Sequence, residues 1–123
     1  MLSGSYKYNI NGSEQSYSTQ NAVFGVSTGP AKIVKSTTGI QSMVNLTKAK
    51  GTINEINNNY AKVGSTHYLL DDDVKIFYRN YNFDYMLITM EDLLENEDYN
   101  IQGVYYDKSP SSGGRIRVII VTK

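Results

Sequence analysis

Residues 111–115, Ser-Ser-Gly-Gly-Arg, have the composition of a Gly-rich loop that could bind a phosphate group. The known phosphate loops require a strand, a Gly-rich turn and then a helix whose N-terminal N–H groups face the phosphate. Here the turn is followed by RIRVIIVTK, which has the pattern of a strand. The sequence therefore predicts a hairpin turn between strands near 99–107 and 115–122, with no bound phosphate.

Catalytic and metal-binding chemistry depends on the single histidine and on two acidic clusters. His67 would have to serve any Ser-His-Asp triad, and no carboxylate is placed beside it by the pattern, so we expect a surface histidine. The acidic residues of 71–73 and 91–98 could supply oxygen ligands to Ca²⁺, but they lack the alternating Asp pattern of a calcium loop. Helix capping and solvation are the favoured interpretation, and calcium binding stays open. We predict no catalytic residue, no cofactor and no metal ligand.

Tyrosine is the unusual residue type, with eleven Tyr against three Phe and no Trp. Tyr favours half-buried positions in strands, where the ring packs and the hydroxyl stays in water. A candidate aromatic ligand surface is formed by Tyr78, Tyr81, Tyr85 and Tyr105. Three or more coplanar rings along one groove would favour ligand binding, because bases and sugars can stack on them, whereas scattered rings would favour packing.

The totals describe one ordinary domain, or two very small ones, in 123 residues. Twelve basic and twelve acidic side chains cancel, so no global field attracts nucleic acid or an anionic membrane, and such binding would need a local patch. The longest apolar run, Val118–Val121, is too short to span a bilayer, so we expect no membrane insertion. The N-terminal residues lack the pattern of a signal peptide.

Alternating apolar and polar residues, bounded by Gly, Asn and Ser, predict an all-β fold. Asn11-Gly12 is a strong hairpin signal and predicts a hairpin over 6–18. Further hairpins are predicted over 31–46 and 50–64, followed by two strands on either side of a turn at 71–73. We expect small antiparallel sheets in a barrel-like or sandwich-like arrangement.

One segment, residues 90–95, has a helical pattern. Thr89 and Asp92 resemble the two halves of a capping box, and Leu93 and Leu94 would turn inward. We therefore predict one short helix that plugs or connects the sheets.

Alternation in the last predicted strand separates apolar side chains from cationic ones, because neighbouring side chains leave opposite faces of a strand. The expected inward set is Ile116, Val118 and Ile120, and the expected solvent-facing set is Arg115 and Arg117. On this interpretation the two arginines contribute little to stability.

The two halves of the chain share a strand pattern. The aligned pairs are residues 8–23 with 60–74 and residues 32–48 with 100–123. We predict two related β repeats packed together, an incomplete first repeat over 1–48 and a second repeat over 49–123.

The order of several short motifs carries a family resemblance. These are KGTINEI, YLLDDDV, ITMEDLL, NIQGVYYDK and GGRIRVIIV, within about residues 50–123, with a looser match over 6–48. In this order they resemble the small all-β repeat modules of bacterial cell-surface proteins that also carry S-layer homology domains.

The resemblance implies a non-catalytic structural or interaction module of a larger secreted, cell-surface-associated protein. Its partners would be neighbouring domains of the parent protein or cell-wall components, outside the cell. The alternative hypothesis is a small ligand-binding β-barrel that takes glycan or single-stranded nucleic acid on the exposed tyrosines, although nucleic acid would also need a basic groove. An enzyme comes third.

Overall fold

The computed structural model describes residues 4–10, 13–19, 29–37, 39–82 and 84–123. These residues form an all-β fold with one short α-helix, which confirms the predicted fold class. A seven-stranded sheet curls into a half-barrel, and two separate two-stranded hairpins precede it in the chain.

The two N-terminal hairpins lie where the sequence predicts them. β1 (Gly4–Ile10) pairs with β2 (Ser13–Thr19), and β3 (Ala31–Ser36) pairs with β4 (Gly39–Asn45), both antiparallel. The predicted turn residues Asn11-Gly12 lie outside the described residues.

The main sheet contains the remaining strands. They are β5 (Thr47–Lys48), β6 (Ile53–Ile56), β7 (Tyr60–Val63), β8 (Thr66–Arg79), β9 (Tyr85–Ile88), β10 (Asn100–Tyr106) and β11 (Ile116–Thr122). Their order is β5-β10-β11-β8-β7-β6, and β9 also pairs with β8. The pairing of β11 with β8 is parallel, and the other pairings of this sheet are antiparallel.

The turn predicted at residues 71–73 is wrong, because β8 runs through it as one strand of 14 residues. Ile116 of β11 lies opposite Leu70, whereas Val118 lies opposite Lys75, so β8 contains extra residues between these two points. The Asp71 carboxylate accepts the Asp73 amide at 3.0 Å inside this bulge. The bulge interrupts the strand pairing without reversing the chain, because β8 pairs with β7 before the bulge and with β9 after it.

A bulge in β11 itself changes which face each of its residues occupies, because two consecutive residues of β10 lie opposite Ile116 and Val118. Ile119 and Val121 join Ile116 in the main core, and each is fully buried. The alternation predicted that Val118 and Ile120 share a face with Ile116, but they lie on the opposite face of the sheet. Ile120 is buried on that opposite face, so β11 is apolar on both faces.

The predicted helix is confirmed as α1 (Met90–Glu95), together with its capping box. The Asp92 amide donates to Thr89 Oγ1 at 3.0 Å, and the Thr89 amide donates to Asp92 Oδ2 at 3.1 Å. The hydrogen bond from the Thr89 amide to the Asp92 carboxylate, with a further contribution from the Thr89 side chain, lowers the pKa of Asp92. Leu93 packs into the main core as expected, but Leu94 is exposed.

The predicted repeats meet inside the main sheet. β5, at the end of the first predicted repeat, pairs with β10 of the second. The duplication, with its division into 1–48 and 49–123, stays a prediction.

Candidate functional site

The four candidate tyrosines occupy three different places. Tyr78 lies on the core face of the sheet, where its ring meets Tyr99 edge-on at 5.7 Å between centroids. Tyr81 lies in the turn after β8 and is 90% exposed. Tyr85 and Tyr105 share the face opposite the main core, which we call the outer face. The structure thus brings together two of the four rings, and ligand binding by these side chains stays a prediction.

The outer face has its own small apolar cluster. Phe77 and Ile120 are buried there, opposite each other on β8 and β11. The ring of Tyr85 meets Phe77 edge-on, with centroids 6.4 Å apart and planes at 80°. Tyr85 therefore packs against the sheet as part of this cluster.

Tyr105 fills the space left by a glycine on the same strand. A Cβ atom on Gly103 would lie 3.2 Å from Tyr105 Cε2 and 2.9 Å from Lys48 Cε. Burial raises the pKa of Tyr105, the negative charge of ionised Tyr85 adds to the rise, and Arg79 opposes it. The register of β10 against β11 shifts between Ile101 and Gly103, which is the irregularity of a β-bulge.

We expect Gly103→Ala to lower the free energy of unfolding by about 1 kcal/mol, because the added methyl group displaces the Tyr105 ring. Urea denaturation followed by circular dichroism measures the change. Asn100→Ala is the matched control, because Asn100 is exposed on the same strand, and we expect a change within about 0.5 kcal/mol. A Gly103→Ala variant as stable as the parent would contradict the packing of Tyr105 on Gly103.

The turn between β10 and β11 is the predicted hairpin turn. It contains a single 3₁₀ turn, Pro110–Ser112, and Gly113 follows with a φ of +81°. The amides of Ser112 and Gly114 donate to the Ser109 carbonyl, and the Gly113 amide donates to the Pro110 carbonyl. These three amides are bonded within the turn, so they do not form the phosphate cradle of a Gly-rich loop.

Asp107 is the centre of a polar network at the base of this turn. Its Oδ1 accepts the amides of Lys108 at 2.9 Å and Arg115 at 3.0 Å, and its Oδ2 accepts Arg117 Nε at 2.9 Å. The side chain is only 13% exposed. Burial opposes ionisation, but the bonds from Arg115, Arg117 and Lys108 and the charge of Arg117 outweigh it and lower the pKa of Asp107.

Arg117 does not face solvent as the strand pattern predicted. Its side chain is 35% exposed and contacts two carboxylates, Asp107 on one side and Asp71 Oδ2 at 3.4 Å on the other. The bulge in β8 brings Asp71 to this position, which explains why alternation along β11 alone could not predict it. Arg115 is exposed, as expected.

A shallow groove of about 420 Å³ lies beside this network. Its lining includes four cationic side chains and one carboxylate, a net charge of +3: Lys32, Lys108, Arg115, Arg117 and Asp107. Val44 and Gly113 complete the described part of the lining. We call this the hairpin groove. Lys32 comes from β3 and is distant in sequence from the other cationic residues, so no linear sequence motif indicates this site.

The single histidine and several of the candidate acidic residues contact neighbouring groups of the fold. His67 is exposed on β8, and its ring meets Tyr60 at 4.9 Å between centroids. Asp73 pairs with Lys75 at 3.1 Å, while Asp71 and Asp92 have the partners described above. Among the described residues, no three His, Cys, Asp or Glu side chains are grouped so that they could share a metal ion.

Comparisons with protein families, curated proteins and solved structures give no match for this chain. In the described part of the chain, no helix has the length and apolar character needed to cross a membrane. The functional proposals below therefore rest on the geometry and on the motifs of the sequence.

Proposed function

We propose that this chain is a non-catalytic interaction module of a larger secreted, cell-surface-associated bacterial protein. The observation that carries the proposal is an exposed apolar edge of the main sheet. The order of the sequence motifs supports the bacterial cell-surface setting, and with it a position outside the cell near the wall. The partner is a neighbouring domain of the parent protein.

The exposed edge is formed by β9 and the described segments on either side of it, which we call the β9 edge (residues 81–82 and 84–94). Within the described residues, β9 pairs with β8 and with no other strand. Met86 is 46% exposed and Leu87 is 42% exposed, and exposed Tyr81 and Leu94 lie at either end. Large apolar side chains along an open strand edge are characteristic of surfaces that another chain segment covers.

The sequence of β9 lacks the residue types that prevent another strand from pairing with an exposed strand edge. Its four residues, Tyr-Met-Leu-Ile, include no charged residue and no proline. Backbone N–H and C=O groups on the outer side of such a strand can pair with an added strand, while the alternate side chains supply apolar contacts. The β9 edge therefore fits strand addition by an apolar, extended segment of a neighbouring domain.

A second candidate function is ligand binding on the outer face, where Tyr85 and Tyr105 lie on one side of the sheet. The alternative of a barrel that takes glycan or single-stranded nucleic acid draws on this pair. The packing of Tyr85 edge-on to Phe77, and of Tyr105 over Gly103, leaves less ring surface for stacking. The β9 edge is thus the better supported interaction surface.

Hydrogen exchange tests the docking of the β9 edge. We expect outer amides of residues 86–88 to exchange at least about tenfold more slowly in the parent protein than in the isolated chain, because docking protects them. Leu87→Lys in the parent protein should abolish this protection. Leu69→Lys is the matched control, since Leu69 is 48% exposed on β8, and should preserve it. Equal exchange in the parent protein and the isolated chain would contradict the proposal.

A further inference from the structure

The hairpin groove concentrates positive charge on a chain whose total charge is zero. The whole chain has twelve basic and twelve acidic side chains, yet the described groove lining has a net charge of +3, or +2 when Asp71, the second carboxylate beside Arg117, is counted. Lys32, Lys108 and Arg115 are exposed, so their charges are available to a ligand in solution. A local excess of cations in a concave surface attracts anions.

One of the cations is held in a fixed position. Arg117 is tied to Asp107 at 2.9 Å and to Asp71 at 3.4 Å, which orients its guanidinium group at the groove wall. The Asp107 carboxylate, the only anion of the described lining, already accepts three hydrogen bonds. The remaining cations lie on flexible side chains around this arginine.

The geometry favours an extended polyanion over a single small anion. The amides of Ser112, Gly113 and Gly114 are bonded within the turn, so they do not enclose an isolated phosphate. The cations come from β3, from the turn and from β11, and the groove is shallow. Each of these exposed charges binds an anion only weakly. A ligand with regularly spaced negative charges binds with higher affinity, because it contacts several of them at once.

The lining favours a polysaccharide over nucleic acid. Proteins that bind single-stranded nucleic acid combine a basic groove with aromatic rings on which the bases stack. The described lining of the hairpin groove contains no aromatic side chain, and its exposed apolar residue is Val44. A chain of acidic sugars requires cations and does not require stacking platforms.

We propose that the hairpin groove binds an acidic polysaccharide, with Lys32, Lys108 and Arg115 as the contacts to its anionic groups and the ion-paired Arg117 at the groove wall. This site is separate from the β9 edge, and its occupation does not depend on docking there.

Titration calorimetry with polygalacturonate at low salt tests the site, with neutral dextran and a charge-matched oligo-dT as the comparison ligands. We expect saturable binding of polygalacturonate, no binding of dextran, and weaker binding of oligo-dT. Lys108→Ala with Arg115→Ala should raise the Kd by about tenfold and make its salt dependence shallower. These two side chains are exposed, so the variant keeps its fold, which circular dichroism verifies.

Lys50→Ala with Lys62→Ala is the matched control, because it removes the same charge outside the groove lining. We expect this control, and Leu87→Lys, to bind polygalacturonate as the parent does. The proposal is overturned if polygalacturonate does not bind, if the control weakens binding as much as the groove variant, or if oligo-dT binds more tightly than polygalacturonate.

Discussion

Replacing Ile119 by alanine lowers the free energy of unfolding by about 3 kcal/mol, through lost apolar contacts and the cavity left behind. Ile119 is fully buried in the main core, on a strand with partners on both sides. In a domain of this size, such a loss is a large part of the total stability. Urea denaturation followed by far-ultraviolet circular dichroism measures it.

Val118→Ala is the matched control for this variant. Val118 is the neighbouring residue on β11, but it is only half-buried and faces the outer side of the sheet. We expect a loss of about 1 kcal/mol, since fewer contacts disappear. If Val118→Ala were as damaging as Ile119→Ala, the assignment of the two faces of β11 would be wrong.

Arg117→Ala lowers the free energy of unfolding by about 1–2 kcal/mol, because it leaves the poorly exposed Asp107 carboxylate without its charged partner. Arg115→Ala is the control and should stay within about 0.5 kcal/mol of the parent, since its side chain is exposed. Thermal and urea denaturation measure both variants. Equal stability of the two would contradict the structural role of the Asp107 network.

The pH dependence of this network has a definite sign. Asp107 has a pKa below its ordinary value of 3.8 in the folded protein, so its ionised form stabilises the fold above the unfolded pKa. This contribution is lost as the pH falls through the lowered folded pKa. The stability difference between the parent and Asp107→Asn should therefore be largest at neutral pH and shrink below about pH 4. Asp73→Asn, at an exposed carboxylate, should show a much smaller difference.

Features encoded in a few neighbouring residues could be predicted from the sequence. Thr89 and Asp92 satisfy each other's backbone amides within one turn, so the pattern that predicts α1 is also its cause. Gly113 supplies the positive φ of the hairpin turn in the same local way. The all-β fold and its hairpins follow from alternation, which is a property of short segments.

Features that depend on distant partners could not be predicted. The faces of β11 are set by its pairing with β10, in which Arg117 is an extra residue between Ile116 and Val118. The bulge in β8 brings Asp71 to Arg117, and the approach of β3 places Lys32 in the hairpin groove. Candidate site residues chosen by type alone, such as Tyr78 and Tyr105, were consequently divided between opposite faces of the sheet.

The central position of β11 has a consequence for folding during synthesis. Ile116, Ile119 and Val121 supply much of the main core, and they lie between β10 and β8, although β11 follows both of these strands in the chain. While the ribosome still holds this strand, β8 and β10 lack their common neighbour and their apolar faces remain in water. Folding of the sheet must wait for residues 116–122 to emerge. Until then the nascent chain exposes apolar surface and unpaired strand edges of the kind that molecular chaperones bind.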